Sequence, residues 1–244
     1  MRQSRLYVDE VLAEGRLVTL REERAHYASR VLRLRAGDPV TVFNGEGGEY
    51  HGAVREINKK TVTIETHVWH NYERESPLDV TLIQAVAAQE KMDFILQKAV
   101  ELGVRGVIPV ASARARVRLD PERAARRLRH WRAIVVSACE QCGRNRLPEV
   151  HAVTGLDHCF ASLAESGERW LLSPEAGAGL RGRRLPEVPV YLLVGPEGGF
   201  SPEERQRAKD HGFQPLRLGP RVLRTETAAL AALAAMQTLW GDFQ

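Results

Sequence analysis

Three acidic side chains stand in and just behind a glycine turn that follows a buried apolar segment. The segment YLLVGPEGGFSPEE, residues 191–204, places Glu197 inside the turn and Glu203 and Glu204 after a Ser-Pro pair. A glycine turn that leads into a helix often binds a phosphate, because backbone amides and the helix dipole favour an anion. Three carboxylates would repel a phosphate. The turn is therefore better suited to a neutral or cationic ligand.

The turn also lacks the motifs of nucleotide-binding loops. The sequence GPEGGF matches neither the P-loop pattern G-x-x-x-x-G-K-[ST] nor the dinucleotide pattern G-x-G-x-x-G. Gly198 and Gly199 allow close approach of the backbone or a positive φ, so a compact ligand can lie against the turn. Helix capping by Ser201 and Pro202 accounts for the residues after the turn, but it does not account for the turn itself.

Two further segments are expected beside this turn. From about residue 78, predicted strands alternate with predicted helices, which is typical of an α/β fold with a mostly parallel sheet covered on both faces. Ligands of such sheets bind beyond the carboxyl ends of the strands. Unusual residues follow three predicted strands, in LLSPEAG (171–177), VGPEGGF (194–200) and LRLGPRVLRTETA (216–228). We expect these segments to converge on one ligand site.

The N-terminal part of the chain has a different pattern. Residues 38–66 alternate apolar and polar side chains around two turns, which predicts three short strands joined as hairpins. The polar segment 70–77 has no periodicity and ends in proline, so it is interpreted as a linker. The sequence therefore predicts a small β-barrel domain at residues 1–72 and an α/β domain at residues 73–244.

Charge is unevenly distributed along the chain. Residues 1–75 contain twelve Arg/Lys and twelve Asp/Glu, whereas residues 105–150 contain eleven Arg and four acids. Such an arginine excess suits phosphates of a nucleic acid, and it equally suits a solvated helix face. The first residues are interrupted by charge and no apolar run reaches spanning length, so we expect no membrane segment and a cytoplasmic protein.

Cys139 and Cys142 form a C-x-x-C pair within a predicted helix. A metal site would need further ligands, for which His151, His158 and Cys159 are the candidates, but no second well-spaced pair is present. Small buried thiols are common on the apolar face of a helix. We therefore expect no bound metal.

LLVGPEGGFSPEE and LRLGPRVLRTETAALAAL resemble the SPOUT class of RNA methyltransferases, and more closely the ribosomal RNA small subunit methyltransferase E family. The resemblance covers nearly the whole chain. HYASRVLRLRAGD is similar to that family's PUA-like RNA-binding barrel, and KMDFILQKAVELGV and ACEQCGRNRLPEV are similar to its next two motifs. SARARVRL departs from the family, which has a shorter Arg-Ser-containing stretch there.

The resemblance implies a SPOUT-type sheet with a C-terminal trefoil knot, a homodimer, and methylation of N3 of a uridine in 16S rRNA of the small ribosomal subunit. It also implies S-adenosylmethionine as the cofactor, whose sulfonium and ammonium groups are cationic and tolerate nearby acids. The cofactor-binding residues that it implies are Leu172, Ser173, Val194, Gly195, Pro196, Glu197, Gly198, Gly199, Leu218, Gly219, Val222, Leu223, Arg224 and Thr225.

Methylation of uridine N3 requires a proton acceptor and a cation that faces the flanking carbonyl oxygens. Arg144 and Arg224 are the candidate cations, and Glu226 and Glu197 are the candidate proton acceptors. Thr225 is equally suited to be the N-cap of the last helix, with Glu226 favouring the helix dipole. The candidate RNA-binding residues are Arg30, Arg33, Arg114, Arg116, Gln141 and Arg144.

Two other functions remain open on the sequence. One is a SPOUT enzyme that methylates a ribose 2′-OH of tRNA, and the other is a non-catalytic RNA-binding protein with the same fold. The alanine-rich last helix, which contains TAALAALAAMQTLW, fits a dimer interface or packing within the chain.

Overall fold

A computed structural model describes residues 3–114 and 121–243 of the 244-residue chain. The predicted RNA contact Arg116 lies outside the described residues. The chain divides into two compact units. The first unit comprises Met1–Glu75 and Cys139–Leu147, and the second comprises Ser76–Ala138 and Pro148–Gln244. The return of residues 139–147 to the first unit is not visible from sequence pattern.

The first unit contains a five-stranded sheet with the order β1-β3-β4-β5-β2, in which β1 and β3 are parallel and the other pairs are antiparallel. Its elements are β1 (Ser4–Tyr7), β2 (Leu17–Arg21), α1 (Glu22–His26) with a π-helical continuation (Tyr27–Val31), β3 (Pro39–Phe43), β4 (Glu49–Ile57) and β5 (Thr61–His70). Alternation buries one face, as shown by Val62 and Ile64, which have no exposed surface. The three strands predicted within residues 38–66 are β3, β4 and β5.

Residues 139–147 are bound into the first unit by buried polar contacts. Arg5 forms an ion pair with Glu49, and Asn145 donates from Nδ2 to Glu49 Oε2 at 3.2 Å. Arg144 donates from Nε to Glu75 Oε1 at 3.0 Å. Burial raises the pKa of Glu49, but hydrogen bonds from Arg5 and Asn145 outweigh it and hold the pKa below its ordinary value. These contacts hold residues 139–147 within the first unit.

The second unit contains a parallel sheet with the order β12-β10-β11-β6-β7-β8, and β9 also pairs with β7. Its elements are β6 (Val80–Ala85), α2 (Gln89–Glu101), β7 (Gly106–Ala111), α3 (Pro121–Cys142), β8 (Glu149–Val150), β9 (Thr154–Gly155), α4 (Leu156–Ser162), β10 (Glu168–Leu172), β11 (Val190–Val194), α5 (Pro202–Asp210), β12 (Gln214–Leu216) and α6 (Thr225–Trp240). The last four residues of α3, 139–142, belong to the first unit. The mostly parallel sheet that the sequence predicts is confirmed.

Central strands of this sheet are apolar throughout because both of their faces are covered. All five residues of β11 are buried, as expected for a strand in the middle of a parallel sheet. Helix α2 buries a stripe that includes Met92, Leu96 and Ala99, and it ends before Gly103, which adopts φ +79°. This core fixes the ends of β6, β10, β11 and β12 at one edge of the sheet.

No helix among the described residues is both long and apolar enough to cross a membrane. Those residues also contain no group of three or more His, Cys, Asp or Glu side chains placed to hold a metal ion. Burial raises the pKa of Cys139 to about 12, so this thiol is protonated at neutral pH, and a thiol binds metals as the thiolate. The absence of a bound metal stays a prediction.

Candidate functional site

A cavity of about 280 Å³ lies at the carboxyl ends of β10, β11 and β12, within the second unit. Its volume is near the lower end of the roughly 300–1,000 Å³ typical of small-molecule sites. The three segments that the sequence singled out converge on it. Every residue expected to bind the cofactor lines the cavity except Gly198. The carbonyl of Gly198 instead accepts a hydrogen bond from Arg114 Nη1 at 2.9 Å.

Eight lining residues were not named individually as cofactor contacts, although six of them lie within the three segments that the sequence singled out. They are Lys91, Leu171, Pro174, Phe200, Arg205, Leu216, Arg221 and Ala228. Most are neighbours of predicted residues. Lys91 differs, because it comes from the first turn of α2, more than a hundred positions before Glu197. Strand β6 pairs with β11 in parallel, so the start of α2 lies at the same sheet edge, and this rule would have identified Lys91.

Glycine shapes the wall of the cavity at three places. Gly199 and Gly219 have φ of +65° and +81°, a conformation that other residues rarely adopt, and both face open space. A side chain at Gly195 would place its Cβ only 3.3 Å from the Phe200 ring. These positions let a ligand approach backbone amides and carbonyls directly.

A buried hydrogen-bond chain joins two of the segments that line the cavity. Thr225 Oγ1 donates to the Gly195 carbonyl at 2.6 Å, and Gln84 Nε2 donates to Thr225 Oγ1 at 3.0 Å. Gln84 is completely buried and Thr225 is 6% exposed. The N-cap of α6 is Arg224, so the expectation that Thr225 is the N-cap is wrong. Its hydroxyl donates to the glycine turn and does not cap the amides of α6.

Two carboxylates of the cavity region share one lysine. Lys91 Nζ lies 3.2 Å from Glu197 Oε1 and 3.6 Å from Glu226 Oε2. Glu197 also accepts a hydrogen bond from the Ala88 amide at 3.2 Å. Burial raises the pKa of Glu197, but hydrogen bonds from its own amide, from Ala88 and from Lys91 outweigh burial and hold the pKa below its ordinary value. Glu197 is therefore a carboxylate at neutral pH.

The other two acids, Glu203 and Glu204, lie in the first turn of α5. Glu204 is 2% exposed, and its carboxylate accepts hydrogen bonds from the Ser201 amide at 2.8 Å and the Ala113 amide at 2.7 Å. Ser201 Oγ in turn accepts from the Glu204 amide at 3.2 Å, which completes a capping box. Glu203 is exposed, and the hydrogen bond from the Ser201 hydroxyl holds its pKa below the ordinary value. Among these three acids, only Glu197 lines the cavity.

The two candidate cations differ in their surroundings. Arg224 lines the cavity, is exposed, and its side chain makes no hydrogen bond or ion pair with any described residue. Arg144 belongs to the first unit, is 4% exposed, and forms an ion pair with Glu75. A buried, paired guanidinium is held in place by its partner. Arg224 is thus the better placed of the two to meet a substrate in the cavity.

The remaining predicted RNA contacts lie on both units. Arg30, Arg33 and Gln141 are exposed on the first unit, and Arg30 lines a shallow depression together with Lys59 and Lys60. Arg114 is exposed on the second unit beside the glycine turn. Their contacts with RNA stay predictions.

Similarity to protein families agrees with this architecture. Residues 74–237 match the family model described as RNA methyltransferase domain, and residues 20–66 match the one described as RNA methyltransferase PUA domain. The fold and cavity therefore define an RNA methyltransferase with an N-terminal PUA-like domain.

Individual relatives show which family of RNA methyltransferases the chain belongs to. The chain is 31% identical to ribosomal RNA small subunit methyltransferase E of Buchnera aphidicola subsp. Acyrthosiphon pisum, with 98% of this chain and 95% of the relative covered. It is also 31% identical to the Bacillus subtilis enzyme of that name, with 92% and 91% covered. The chain belongs to the ribosomal RNA small subunit methyltransferase E family, which confirms the resemblance found in the sequence.

Two solved structures are similar over 100% of both chains. One is ribosomal RNA small subunit methyltransferase E from Neisseria gonorrhoeae bound to S-adenosylmethionine, with 40% identity and a TM-score of 0.92. The other is a methyltransferase from Legionella pneumophila in complex with the same cofactor, with 38% identity and a TM-score of 0.95.

Glu204→Ala is expected to lower the free energy of unfolding by about 1–3 kcal/mol, because it leaves the Ser201 and Ala113 amides without their acceptor. Urea denaturation measures the change. The matched control is Glu203→Ala on the exposed side of the same turn, which should keep the wild-type midpoint. Equal midpoints for the two variants would show that Glu204 does not brace this turn.

Proposed function

We propose that this chain transfers a methyl group from S-adenosylmethionine to N3 of a uridine in 16S rRNA of the small ribosomal subunit. The observation that carries the proposal is the cavity at three strand ends, whose glycine-rich walls lie beside Glu197, Lys91 and Arg224, in a chain of the methyltransferase E family. The substrate implies that the enzyme works in the cytoplasm.

The residues present fit this cofactor. Glycines at 195, 199 and 219 expose backbone groups to a ligand, and the wall is otherwise largely apolar. Glu197 is held ionised by the Ala88 amide and by Lys91, so a fixed carboxylate lies at the cavity wall. Both the Neisseria and the Legionella relatives were crystallised with S-adenosylmethionine. When bound, this cofactor supplies an electrophilic methyl group on a sulfonium.

Glu226 is the better candidate for the proton acceptor. Glu197 accepts hydrogen bonds from the Ala88 amide and from Lys91, and such bonds to the charged form reduce the basicity of a carboxylate. Glu226 Oε2 accepts no hydrogen bond from any described residue, and Lys91 Nζ lies 3.6 Å from it. Because this oxygen is buried and Glu226 does not line the cavity, it would accept the uridine N3 proton through water or after its side chain turns toward the cavity.

Arg224 is the better candidate for the cation that faces the uridine carbonyl oxygens. Loss of the N3 proton spreads negative charge onto those oxygens, and a guanidinium presents planar donors that match them. Arg224 immediately precedes α6, two residues before Glu226, and its side chain has no partner among the described residues. One short segment would thus supply both the acceptor and the cation.

We also propose that the C-terminal segment is knotted, as in the SPOUT class. Strand β12 pairs with β10 at the sheet edge, yet Thr225 is bonded back to Gly195, which follows the more central β11. The Arg217 amide donates to the Ala178 carbonyl at 2.9 Å, so the returning chain runs against the loop after β10. A crystal structure in which the chain passes beside that loop without threading it would contradict the knot.

The test of the function is nucleoside mass spectrometry after incubation of 16S rRNA with the enzyme and labelled S-adenosylmethionine. We expect a base-methylated uridine. A ribose-methylated nucleoside would instead favour the tRNA-type activity, and calorimetry showing no cofactor binding would leave a non-catalytic RNA-binding protein.

Replacement of the two carboxylates separates their roles. Glu226→Gln is expected to lower the methylation rate by roughly 10²–10⁴-fold, because it removes the proton acceptor, while calorimetry shows little change in cofactor affinity. Glu197→Gln, the matched control, should retain turnover and weaken cofactor binding. The reverse pattern would assign proton transfer to Glu197.

Arg224→Ala is expected to keep the fold and to lower turnover on the order of 10²–10³-fold, since a donor to the developing anion is lost. Labelled methyl transfer to rRNA measures this loss. Arg221→Ala serves as the control, because Arg221 also lines the cavity and is also exposed. Unchanged turnover in Arg224→Ala would remove this residue from the mechanism.

A homodimer is further proposed. Val222 lines the cavity and is 82% exposed in the single chain, an unusual exposure for an apolar residue beside a binding site. Sedimentation should show a dimer at micromolar concentration, and Val222→Asp should shift it toward monomer. Val11→Asp, at an apolar residue that is 68% exposed in the first unit, should leave the dimer intact. A wild-type monomer would refute the proposal.

A further inference from the structure

Lys91 connects the cofactor cavity with a carboxylate that lies outside it. Its side chain lines the cavity, whereas Glu226, whose Oε2 lies 3.6 Å from Lys91 Nζ, does not. Lys91 stands in the first turn of α2, and α2 packs against α6, the helix that carries Glu226. The lysine therefore contacts both the proposed site of methyl transfer and the proposed proton acceptor.

Glu226 has a carboxylate oxygen that its surroundings do not hydrogen-bond. The side chain is 15% exposed, and Oε2 is buried without a hydrogen-bond donor among the described residues. Removal of a carboxylate from water is costly unless a positive charge or a donor compensates it. An acid that lacks such compensation tends to take up a proton, and a neutral acid cannot accept the proton of uridine N3.

The charged groups around Glu226 come from three segments. Lys91 of α2 is the cation that pairs with Glu226 among the described residues, and Glu197, after β11, brings a second negative charge to the same ammonium. The side chain of Arg224, just before α6, forms no ion pair with any of them. Strand β11 also packs against α6, but its residues carry no charge. The ion pair with Lys91 is therefore the compensation that the structure provides for the buried oxygen.

We propose that Lys91 is a positioning residue for proton transfer, whose ammonium keeps the Glu226 carboxylate charged beside the cavity until it accepts the uridine N3 proton. Glu197 Oε1, 3.2 Å from the same ammonium, holds the lysine from the cavity wall. The proton converts Glu226 to the neutral acid and then passes to water. The inference rests on the proposed function, because it concerns the same reaction. It adds a residue that acts through Glu226 and not on the uridine.

Direct binding of the cofactor or the RNA by Lys91 is the alternative role, since Lys91 lines the cavity. The two roles differ in the kinetic constant that they affect. Loss of a direct contact weakens cofactor affinity or raises KM and leaves the pH dependence of kcat unchanged. Loss of a positioning charge lowers kcat and changes its pH dependence, because the ionisation of the proton acceptor changes.

Lys91→Met removes the charge and keeps a side chain of similar length. Without the ammonium, the Glu226 carboxylate takes up a proton more readily, so the acidic limb of kcat against pH should move up by about 1 pH unit. Turnover on that limb should fall about tenfold, with little change in KM for rRNA or in cofactor affinity by calorimetry. Lys91→Arg keeps the charge and should restore most of the wild-type profile.

Lys98→Met is the matched control. Lys98 also lies on α2 in an ion pair, with Nζ 2.8 Å from Glu101 Oε1, and it does not line the cavity. This variant should keep the wild-type kcat and pH profile. Equal profiles for the two methionine variants would overturn the proposal. A higher KM or a weaker cofactor affinity as the whole effect of Lys91→Met would overturn it as well.

Double variants show whether Lys91 acts through Glu226. A residue that acts through a partner has no further effect once that partner is removed. Lys91→Met added to Glu226→Gln should therefore lower turnover no further, whereas Lys91→Met added to Glu197→Gln should cause its full loss. Independent losses from Lys91→Met and Glu226→Gln would show that Lys91 acts elsewhere.

A titration that needs no turnover separates this inference from the proposed function. NMR follows the side-chain carboxyl carbon of Glu226 against pH, with its signal assigned by its loss in Glu226→Gln. The midpoint should lie about 1 pH unit higher in Lys91→Met than in the wild-type chain, and equal midpoints would overturn the proposal. If the midpoint shifts but the wild-type chain methylates no rRNA, the proposed function fails, although the charge compensation by Lys91 holds.

Discussion

The hydrogen bond from Thr225 Oγ1 to the Gly195 carbonyl is the constraint on which the site depends. It joins the glycine turn after β11 to the first residue of α6, and Gln84 anchors it from the buried end of β6. Gln84 is completely buried, so this bond is shielded from water. Loss of one partner in a buried hydrogen bond leaves the other unsatisfied and lowers the free energy of unfolding. Arg224 and Glu226 flank Thr225, so the bond also fixes the backbone positions from which these two side chains extend.

Residues of one type serve different purposes around this constraint. Glu204 is buried and holds two backbone amides, Glu203 is exposed at the same helix start, and Glu197 lines the cavity. The sequence places all three within eight residues. Their roles differ because Glu204 accepts hydrogen bonds from the Ser201 and Ala113 amides, while Glu197 pairs with the Ala88 amide and Lys91. Only one of the three charges therefore bears on a ligand.

Sequence reasoning reached the cavity because it depended on a rule of parallel sheets. Gly195, Gly199 and Thr225 follow strand ends, and parallel strands bring those ends to one edge whatever the helices between them do. The same rule applied to β6 would also have identified Lys91. The ion pair of Arg144 with Glu75 was missed for a different reason, because the two residues are distant in sequence and no periodicity encodes such a pairing. The return of residues 139–147 to the first unit is a long-range feature of the same kind.

A single lysine placed between two carboxylates gives them unequal chemistry. Lys91 lies 3.2 Å from Glu197 and 3.6 Å from Glu226, and the Ala88 amide adds a second donor to Glu197 alone. Donors to the charged form of an acid reduce its tendency to take a proton. Glu197 is thereby suited to remain a fixed negative charge, while Glu226 keeps an oxygen that no described donor occupies. Neighbouring acids with different donors can divide their roles, one serving electrostatics and the other proton transfer.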